Sequence, residues 1–289
     1  MVKRNAIIMA AGTASRFVPL SAERPKGLVE VKGEILIERQ IRQLQEARVS
    51  DITVVVGYKA DMFMYLRDKF GVSIVMNEDY ARYNNTSSVM QVIDKLDNTF
   101  VCCSDNYFPK NVFIRESTDS YYSALYADGK TGEYCLTTDA DEQITSVTVG
   151  GKDSWYMVGH VYFSHEFSEK FRKIMIDEYR YAKTRQGYWE DVYIRHIHQL
   201  PKMKVNRYKD GEIQEFDSID ELRLFDESYR NDTRSSIVKK ICRKLHVSES
   251  EVHAFKNIKH QGDYLLFNFK VGETSYLYND SEGEKIERI

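Results

Sequence analysis

A loop of small residues follows the first apolar run of the sequence and leads into basic residues. The run ends at Met9–Gly12, and Arg16 and Lys26 follow it. A loop without large side chains lets backbone N–H groups approach a polyphosphate, and arginine and lysine supply the positive charge that a triphosphate requires. The spacing matches neither the G-x-x-x-x-G-K-[ST] of a P-loop nor the G-x-G-x-x-G of a dinucleotide fold. The pattern therefore predicts a polyphosphate site of another kind.

Strands and helices alternate over the first hundred residues, which predicts a parallel sheet with right-handed crossovers. In chain order, the predicted strands cover 6–10, 51–57, 72–76 and 100–103, and the predicted helices cover 36–48, 62–70 and 87–96. Ligands bind at the carboxyl ends of such strands. The turns at Gly12 and Asp105 both lie at such ends, so we expect them to belong to one site.

From about residue 118 the pattern favours antiparallel additions to this sheet, because glycine- and aspartate-containing turns separate short apolar runs. The predicted strands there cover 121–127, 133–138, 144–149, 205–208 and 213–216, and the predicted helices cover 167–181, 188–198 and 219–229. The predicted fold class is therefore α/β, with a mostly parallel mixed sheet flanked by helices.

A break near Asn231-Asp232-Thr233 predicts a separate C-terminal region over residues 231–289. An amphipathic helix over 237–245, a capping box from Ser248 to Glu251 and a hairpin over 264–278 make it a small α+β appendage. With so few residues it would be marginally stable alone, so we expect it to pack against the main domain or a second copy. A homodimer is one expected assembly.

The residues of the small-residue loop resemble the signature of the nucleoside-triphosphate transferase family, A-A-G-x-G-[ST]-R-[LMF]-x-P-L-[ST] followed by P-K-x-L. Here the two parts stand at Ala10–Ser21 and Pro25–Leu28. The chain is similar in particular to bacterial CTP:phosphocholine cytidylyltransferases. Further matches are Val56–Tyr58, Asn77-x-x-Tyr80, Tyr83–Asn85, Asp105–Tyr107, Trp189-x-Asp191 and Glu215–Leu222. The resemblance covers roughly residues 4–230 and implies a Rossmann-like sheet of the nucleotide-diphospho-sugar transferase type.

One position departs from the signature. Ala14 stands where the family has glycine. Alanine is the smallest substitute, so we expect the loop to keep its conformation provided that this position does not need a positive φ.

The resemblance also implies roles for individual residues. Arg16 and Lys26 would bind the phosphates, and Asp105 and Asp217 would hold Mg²⁺; these four are the predicted catalytic residues. The implied nucleotide-binding residues are Ala10, Ala11, Gly12, Thr13, Gly57, Tyr58 and Asn84. A phosphomonoester acceptor is largely dianionic at pH 7, so its oxygen can attack the α-phosphate of the nucleotide without a general base. Catalysis then consists of alignment and charge neutralisation.

A quaternary ammonium group on the acceptor would favour aromatic faces beside a carboxylate. The sequence has 20 tyrosines, 14 phenylalanines and 2 tryptophans, so an aromatic box is available by composition. The acceptor-binding candidates are Tyr134, Trp155, Tyr156, Trp189 and Asp191. A primary ammonium group would instead favour more carboxylates and hydrogen-bond acceptors.

Several of these residues also have an ordinary structural interpretation. Asp105 is typical of a turn cap, and Asp217 precedes a predicted helix that it would cap. Trp189 has the helical spacing of a core residue. The basic face at Lys239–Lys244 is typical of a solvated helix face.

The C-terminal region faintly resembles the opening of the N-lobe of choline-kinase-like phosphotransferases, through its helix, a turn around Gly262 and two strands. No kinase catalytic loop or metal-binding aspartate segment follows within the sequence. Kinase activity is therefore not expected.

The composition excludes other classes. There are 41 Lys+Arg and 44 Asp+Glu, and the net charge of −3 argues against a protein that coats nucleic acid, so no nucleic acid partner is expected. No apolar run approaches the roughly 18–20 residues that span a bilayer. The four cysteines show no C-x-x-C pair, which favours a reducing, cytoplasmic location.

Together these features predict a Mg²⁺-dependent enzyme that transfers CMP from CTP to phosphocholine and releases pyrophosphate. Two alternatives stay open. The first keeps the chemistry and changes the acceptor to 2-aminoethylphosphonate, phosphoethanolamine or a sugar 1-phosphate. The second is a nucleotide-binding regulator without turnover.

Overall fold

A computed structural model describes residues 3–114, 117–259, 264–281 and 283–289; the turn predicted around Gly262 lies outside them. The strands are β1 Asn5–Ala10, β2 Glu30–Val31, β3 Glu34–Ile35, β4 Asp51–Val56, β5 Ser73–Met76, β6 Thr99–Cys103, β7 Asn106–Tyr107, β8 Tyr121–Thr138, β9 Ile144–Phe163, β10 Lys204–Arg207, β11 Gln214–Glu215, β12 Val252–Asn257, β13 Leu266–Val271, β14 Thr274–Asn279 and β15 Lys285–Arg288. The helices are α1 Leu20–Glu23, α2 Leu36–Glu46, α3 Tyr65–Phe70, α4 Asn85–Gln91, α5 His165–Glu178, α6 Ala182–Gln186, α7 Trp189–Arg195, α8 Ile219–Phe225 and α9 Ser236–Leu245. Within the described ranges, none of these helices has both the length and the apolar character to cross a membrane.

The chain forms two compact units, each built from two segments. Unit 1 consists of Met1–Gly12 and Leu36–Glu215, and unit 2 consists of Thr13–Ile35 and Phe216–Ile289. These units do not coincide with the predicted domains 1–230 and 231–289, because residues 13–35 and 216–230 group with the C-terminal region. The boundary at residue 231 stays a prediction.

A seven-stranded sheet in the order β10-β8-β9-β6-β1-β4-β5 forms the centre of unit 1. β1 pairs in parallel with β4 and β6, and β5 continues the parallel set beside β4. β9 runs antiparallel between β6 and β8. The predicted α/β fold class, with a mostly parallel mixed sheet and flanking helices, is confirmed.

The central strands of unit 1 are short apolar runs buried on both faces. Ile7 and Ile8 in β1 and Val54 and Val55 in β4 are all at most 2% exposed. Such runs are typical of parallel strands covered by helices on both sides. The ends of these strands position the loops that follow.

The antiparallel part of unit 1 corrects the prediction of several short strands. β8 and β9 are long strands of 18 and 20 residues that pair along most of their length. The glycine-rich stretches read as turns lie inside them as register shifts, with Gly129 and Gly150 at positive φ. Glycine permits such bulges without ending the strand.

Unit 2 contains a four-stranded antiparallel sheet in the order β12-β13-β14-β15, together with the β2–β3 hairpin and helices α1, α8 and α9. The predicted C-terminal hairpin is confirmed as β13 and β14, and the predicted capping box between Ser248 and Glu251 is present. The flanking strands β12 and β15 were not predicted. Phe267, Phe269 and Tyr278 are nearly fully buried and form the core of this sheet.

Candidate active site

The strands β1, β4 and β6 end at the same edge of the sheet in unit 1. The backbone N–H of Tyr58 donates to the carbonyl of Ala11 at 3.1 Å, which ties the end of β4 to the end of β1. The N–H of Ser104 donates to the carbonyl of Met9 at 3.1 Å, which ties β6 to β1. The two turns that the sequence places in one site therefore meet, as expected.

A pocket at this edge contains several of the predicted nucleotide-binding residues. Its lining residues are Met9, Ala11, Gly12, Asn77, Tyr80, Tyr83, Asn84, Asn85 and Ser88. Asn77 is buried, and its amide donates at 2.9 Å to the hydroxyl oxygens of Ser87 and Ser88. This network holds the amino end of α4 against the loop that follows β5. Of the remaining candidates, Ala10 is buried at the end of β1 and Thr13 is exposed.

Gly57 is required by the close approach of Tyr80. A Cβ atom built on Gly57 would lie 2.6 to 2.9 Å from atoms of the Tyr80 side chain, which is closer than van der Waals contact permits. The neighbouring Tyr58 is half-buried, and burial and the nearby Tyr80 raise the pKa of its hydroxyl. The predicted pair Gly57-Tyr58 therefore packs against the pocket wall.

Asn85 links the pocket to α7. Its side-chain oxygen accepts from the backbone N–H of Trp189 at 2.8 Å, and its amide nitrogen donates to Glu190 at 3.1 Å. The hydroxyl of Tyr122 also donates to Glu190, at 3.2 Å. Burial raises the pKa of the Glu190 carboxyl to about 7. The sequence reasoning missed Glu190, although it lies between two residues that were singled out.

Two carboxylates lie close to the carboxyl end of β6: Asp105 follows the strand, and Glu215 accepts from the amide of Asn106 at 3.3 Å. The side chain of Cys103 is open to solvent, yet burial among protein atoms raises the pKa of its thiol well above the ordinary value. Three nearby negative charges raise this pKa further, those of Asp105, Glu215 and Glu190. Glu215 was also missed as a site residue, although it stands inside a quoted motif. This edge therefore suits a cation.

The structure buries one of the two tryptophans and packs other side chains on the second. Trp189 is 3% exposed, and its ring stacks on Tyr122 with a centroid distance of 5.8 Å. This position favours the core role over the predicted acceptor wall. The guanidinium of Arg207 lies over the Trp155 ring at 5.1 Å, and Tyr126 packs on it edge to face. Trp155 remains partly exposed beside these contacts, so its acceptor role stays a prediction.

Two other acceptor candidates do come together. The hydroxyl of Tyr134 donates to Asp191 at 2.9 Å, and Tyr134 packs edge to face with Tyr188. The second oxygen of Asp191 accepts from the backbone N–H of Tyr188 at 2.9 Å and so caps α7. Tyr156 is half-buried, and burial followed by the charges of acidic neighbours raises its pKa.

Three of the four predicted catalytic residues lie together in unit 2. Arg16 pairs with Asp217 at 2.6 Å, and the Nζ of Lys26 lies 3.5 Å from the same carboxylate. The Lys26 side chain is buried and approaches the ring of Phe17 to 5.9 Å, whereas the Arg16 side chain is 74% exposed. Asp105 belongs to unit 1. The described residues contain no group of three or more His, Cys, Asp or Glu that could hold a metal ion.

Ala14 corrects the expectation for the signature loop. Its φ is 48° and its ψ is 47°, in the left-handed region. We expected alanine to be accommodated here provided that this position does not need a positive φ, and the structure shows that it does. The family glycine is explained by this conformation, which alanine adopts only with strain.

Comparison with known proteins decides the family. The sequence profile described as the MobA-like NTP transferase domain matches residues 6–151. The chain belongs to the MobA-like NTP transferase family. It is therefore a nucleotidyltransferase, as the signature indicated, and its relatives place it among the cytidylyltransferases of this family.

Two relatives are similar over most of this nucleotidyltransferase. The 2-aminoethylphosphonate cytidylyltransferase of Lancefieldella rimae is 36% identical over 231 residues, which cover 78% of this chain and 94% of the relative. The choline-phosphate cytidylyltransferase of Streptococcus pneumoniae is 33% identical over 227 residues, which cover 78% of this chain and 99% of the relative.

Solved structures agree with this assignment. The CTP:phosphocholine cytidylyltransferase of Streptococcus pneumoniae matches with a TM-score of 0.75 at 33% identity, over 78% of this chain and 99% of that chain. The inositol-1-phosphate CTP transferase of T. maritima matches with a TM-score of 0.59 at 16% identity, over 76% of this chain and 91% of that chain, and so shares the fold.

Proposed function

We propose that this nucleotidyltransferase transfers CMP from CTP to phosphocholine in a Mg²⁺-dependent reaction that yields CDP-choline and pyrophosphate. The observation that carries the proposal is the pocket at the sheet edge where the small-residue loop begins, whose lining residue Asn85 also holds the Glu190 carboxyl. An acceptor with a phosphate at one end and a cation at the other matches an edge of this kind. The names of the two similar cytidylyltransferases both support CTP as the nucleotide, and the name of the Streptococcus pneumoniae relative supports phosphocholine as the acceptor.

The chemistry needs no side-chain nucleophile. A phosphate oxygen of the acceptor attacks the α-phosphorus of CTP and forms a new P–O bond. The bond from the α-phosphorus to the bridging oxygen breaks, and its electron pair leaves with pyrophosphate. Arg16 and Lys26 would neutralise the charge of the triphosphate. The two cations lie together, beside the carboxylate of Asp217.

Asp105 and Asp217 fit a Mg²⁺ site by their chemistry. Mg²⁺ is usually bound by one or two carboxylates together with substrate phosphates, and so it needs no larger cage of protein ligands. The Asp217 side chain is 34% exposed and therefore accessible. When bound, Mg²⁺ would supply positive charge to the phosphate oxygens.

The second candidate acceptor is 2-aminoethylphosphonate. Trp189 is buried in the core and Arg207 lies over Trp155, so fewer aromatic faces are open to a quaternary ammonium group than the predicted box assumed. Carboxylates such as those of Glu190 and Glu215 suit a primary ammonium group, which donates hydrogen bonds.

A pyrophosphate-release assay tests the proposal and separates the candidates. CTP, UTP, dTTP and ATP would each be combined with phosphocholine, phosphoethanolamine, 2-aminoethylphosphonate and glucose 1-phosphate, with Mg²⁺ or with EDTA. We expect turnover with CTP and phosphocholine that EDTA abolishes, and none from the Asp105→Asn variant. Preference for 2-aminoethylphosphonate would replace the acceptor and keep the chemistry. No turnover with any pair would overturn the enzymatic proposal.

A further inference from the structure

Arg16 and Lys26 lie on a segment with little regular structure of its own. From Thr13 to Leu28 the chain forms two three-residue 3₁₀ turns and the four-residue helix α1. Helical turns this short are not stable in isolation, because too few hydrogen bonds offset the ordering of the backbone. The positions of the two basic side chains therefore depend on what this segment is attached to.

Glu23 attaches the segment to the C-terminal region. One carboxylate oxygen accepts from the hydroxyl of Ser235 at 2.6 Å and from the backbone N–H of Ile237 at 3.0 Å. The other accepts from the backbone N–H of Ser236 at 3.0 Å. These donors open the ten-residue helix α9, whose first N–H groups have no partner within the helix. A carboxylate at this end is also favoured by the helix dipole.

Two further contacts join the same parts of unit 2. The guanidinium of Arg234 pairs with the Glu30 carboxylate at 3.2 Å. The 3₁₀ turn Ser15–Phe17 lies against β12. β12 is in turn fixed to α8, since Arg223 donates to the carbonyl of Val252 at 2.7 Å. The C-terminal region thus contacts the segment at its beginning, near its middle and beyond its end.

We infer that residues 231–289 hold the segment that carries Arg16 and Lys26 in its working position, and that Glu23 is the positioning residue of this contact. The inference rests on the proposed function, in which these two cations bind the triphosphate. The C-terminal region is then a brace for nucleotide binding. Glu23 acts through the chain that joins it to Arg16 and Lys26.

A positioning role and a purely electrostatic role of Glu23 predict opposite changes in nucleotide affinity when its charge is removed. If its negative charge alone mattered, neutralising it would tighten the binding of an anionic nucleotide. If it positions the segment, neutralising it removes acceptors from the first turn of α9 and weakens nucleotide binding. The direction of the change therefore separates the two explanations.

The test compares two variants of the full chain. Glu23→Gln replaces part of the acceptor set. Ser236→Pro removes one donor without any change of charge, because proline is tolerated at the first position of a helix and has no N–H. We expect the KM for CTP to rise about fivefold in Glu23→Gln, and by less but in the same direction in Ser236→Pro. The kcat falls as well, because the same two cations neutralise the triphosphate during transfer, whereas the acceptor KM stays unchanged.

Hydrogen exchange supplies a second readout that does not depend on turnover. The backbone N–H groups of Phe17 and Leu28 are hydrogen-bonded within the segment, to Ala14 and Pro25, and we expect both to exchange faster in the two variants. Glu284→Gln is the matched control: Glu284 pairs with Lys240 on α9, and its loss should leave the KM for CTP and these exchange rates unchanged.

Unchanged exchange at Phe17 and Leu28, or a lower KM for CTP in Glu23→Gln, overturns the inference. If the parent protein shows no turnover with CTP, the proposed function fails. Faster exchange in the two variants but not in the control would then still support the brace.

Discussion

At the scale of single residues, Glu190 shows why the sequence predicts a site better than it predicts which side chains serve it. The motif Trp189-x-Asp191 was recognised, but the tryptophan is in the core and the aspartate caps α7. The residue between them has the carboxyl enclosed by Asn85 and Tyr122. Enclosure depends on a helix and a strand distant in sequence, so a one-dimensional pattern does not reveal it.

The pKa of Glu190 predicts a pH dependence of acceptor binding. Burial raises this pKa to about 7, so the carboxyl becomes negative only as pH rises through neutrality. We expect the KM for a cationic acceptor to fall between pH 6 and pH 8 in the parent. The phosphate of the acceptor also titrates near the lower end of this range. In Glu190→Gln only that contribution should remain, and equal pH profiles in parent and variant would contradict the prediction.

The same shift has a definite sign for stability. The pKa of Glu190 in the folded protein lies above its ordinary value, so the folded state binds more protons than the unfolded state between the two. The free energy of unfolding therefore decreases as pH rises through this window. Glu190→Gln should show a flatter dependence in urea titrations at pH 5 and pH 8. A steeper dependence in the variant would be incompatible with this shift.

Asp217 is predicted to be needed for turnover but not for folding. Asp217→Asn removes a predicted Mg²⁺ ligand, so we expect kcat to fall by about a hundredfold or more. Its ion pair with Arg16 is partly exposed, and the asparagine oxygen can still accept from the buried Lys26, so stability should change by less than about 1 kcal/mol. Pyrophosphate release and thermal melting measure the two effects, with the exposed Asp128→Asn as the control. Full activity of Asp217→Asn would remove it from the catalytic set.

At the scale of elements, the parallel strands are predictable and the long antiparallel pair is not. β1 is a mainly apolar run and β4 is a β-branched run, both of strand length and both followed soon by glycine, a pattern that indicates buried strands. β8 and β9 contain the same turn residues that end other strands. Pairing between the two strands decides whether such residues form a turn or a bulge, and pairing is a tertiary property.

Ala14 gives a prediction for the signature loop. A left-handed alanine is strained by about 1–2 kcal/mol, and glycine costs about 0.4–1 kcal/mol through the entropy of the unfolded chain. Ala14→Gly should therefore stabilise the protein slightly or leave its stability unchanged. Ala22→Gly, in the right-handed α1, is the control and should destabilise. Urea unfolding measures both, and a larger loss in Ala14→Gly than in Ala22→Gly would contradict the assigned conformation.

Gly57 and Gly12 form a matched pair of loop glycines. An alanine Cβ at Gly57 would meet the Tyr80 side chain, whereas nothing lies within 4 Å of a Cβ at Gly12. We expect Gly57→Ala to lower the free energy of unfolding by about 1–3 kcal/mol and Gly12→Ala to leave it nearly unchanged. Equal stability of the two variants in urea would show that Tyr80 moves aside without cost.

At the scale of the whole molecule, the sequence pattern and the three-dimensional contacts place the division between the two parts of the chain differently. The sequence marks a break near residue 231 because polar residues interrupt the pattern there. The structure groups Thr13–Ile35 with Phe216–Ile289, two segments separated by about 180 residues of unit 1. Long-range grouping of this kind has no local signal. The contacts of Glu23 with the start of α9, and of Glu30 with Arg234 just before it, are part of what produces it.

Because unit 2 is built from two chain segments, we expect both segments to lose protection from hydrogen exchange together. Ile241 is fully buried on α9, and Ile241→Ala should lower the free energy of unfolding by about 2–5 kcal/mol. If unit 2 opens cooperatively, amides of β12 and of 13–35 should exchange faster by similar factors in hydrogen exchange under mild urea. Val54→Ala, in the core of unit 1, is the control and should act on β1 and β4. Faster exchange confined to residues beyond 231 in Ile241→Ala would separate the segment 13–35 from unit 2.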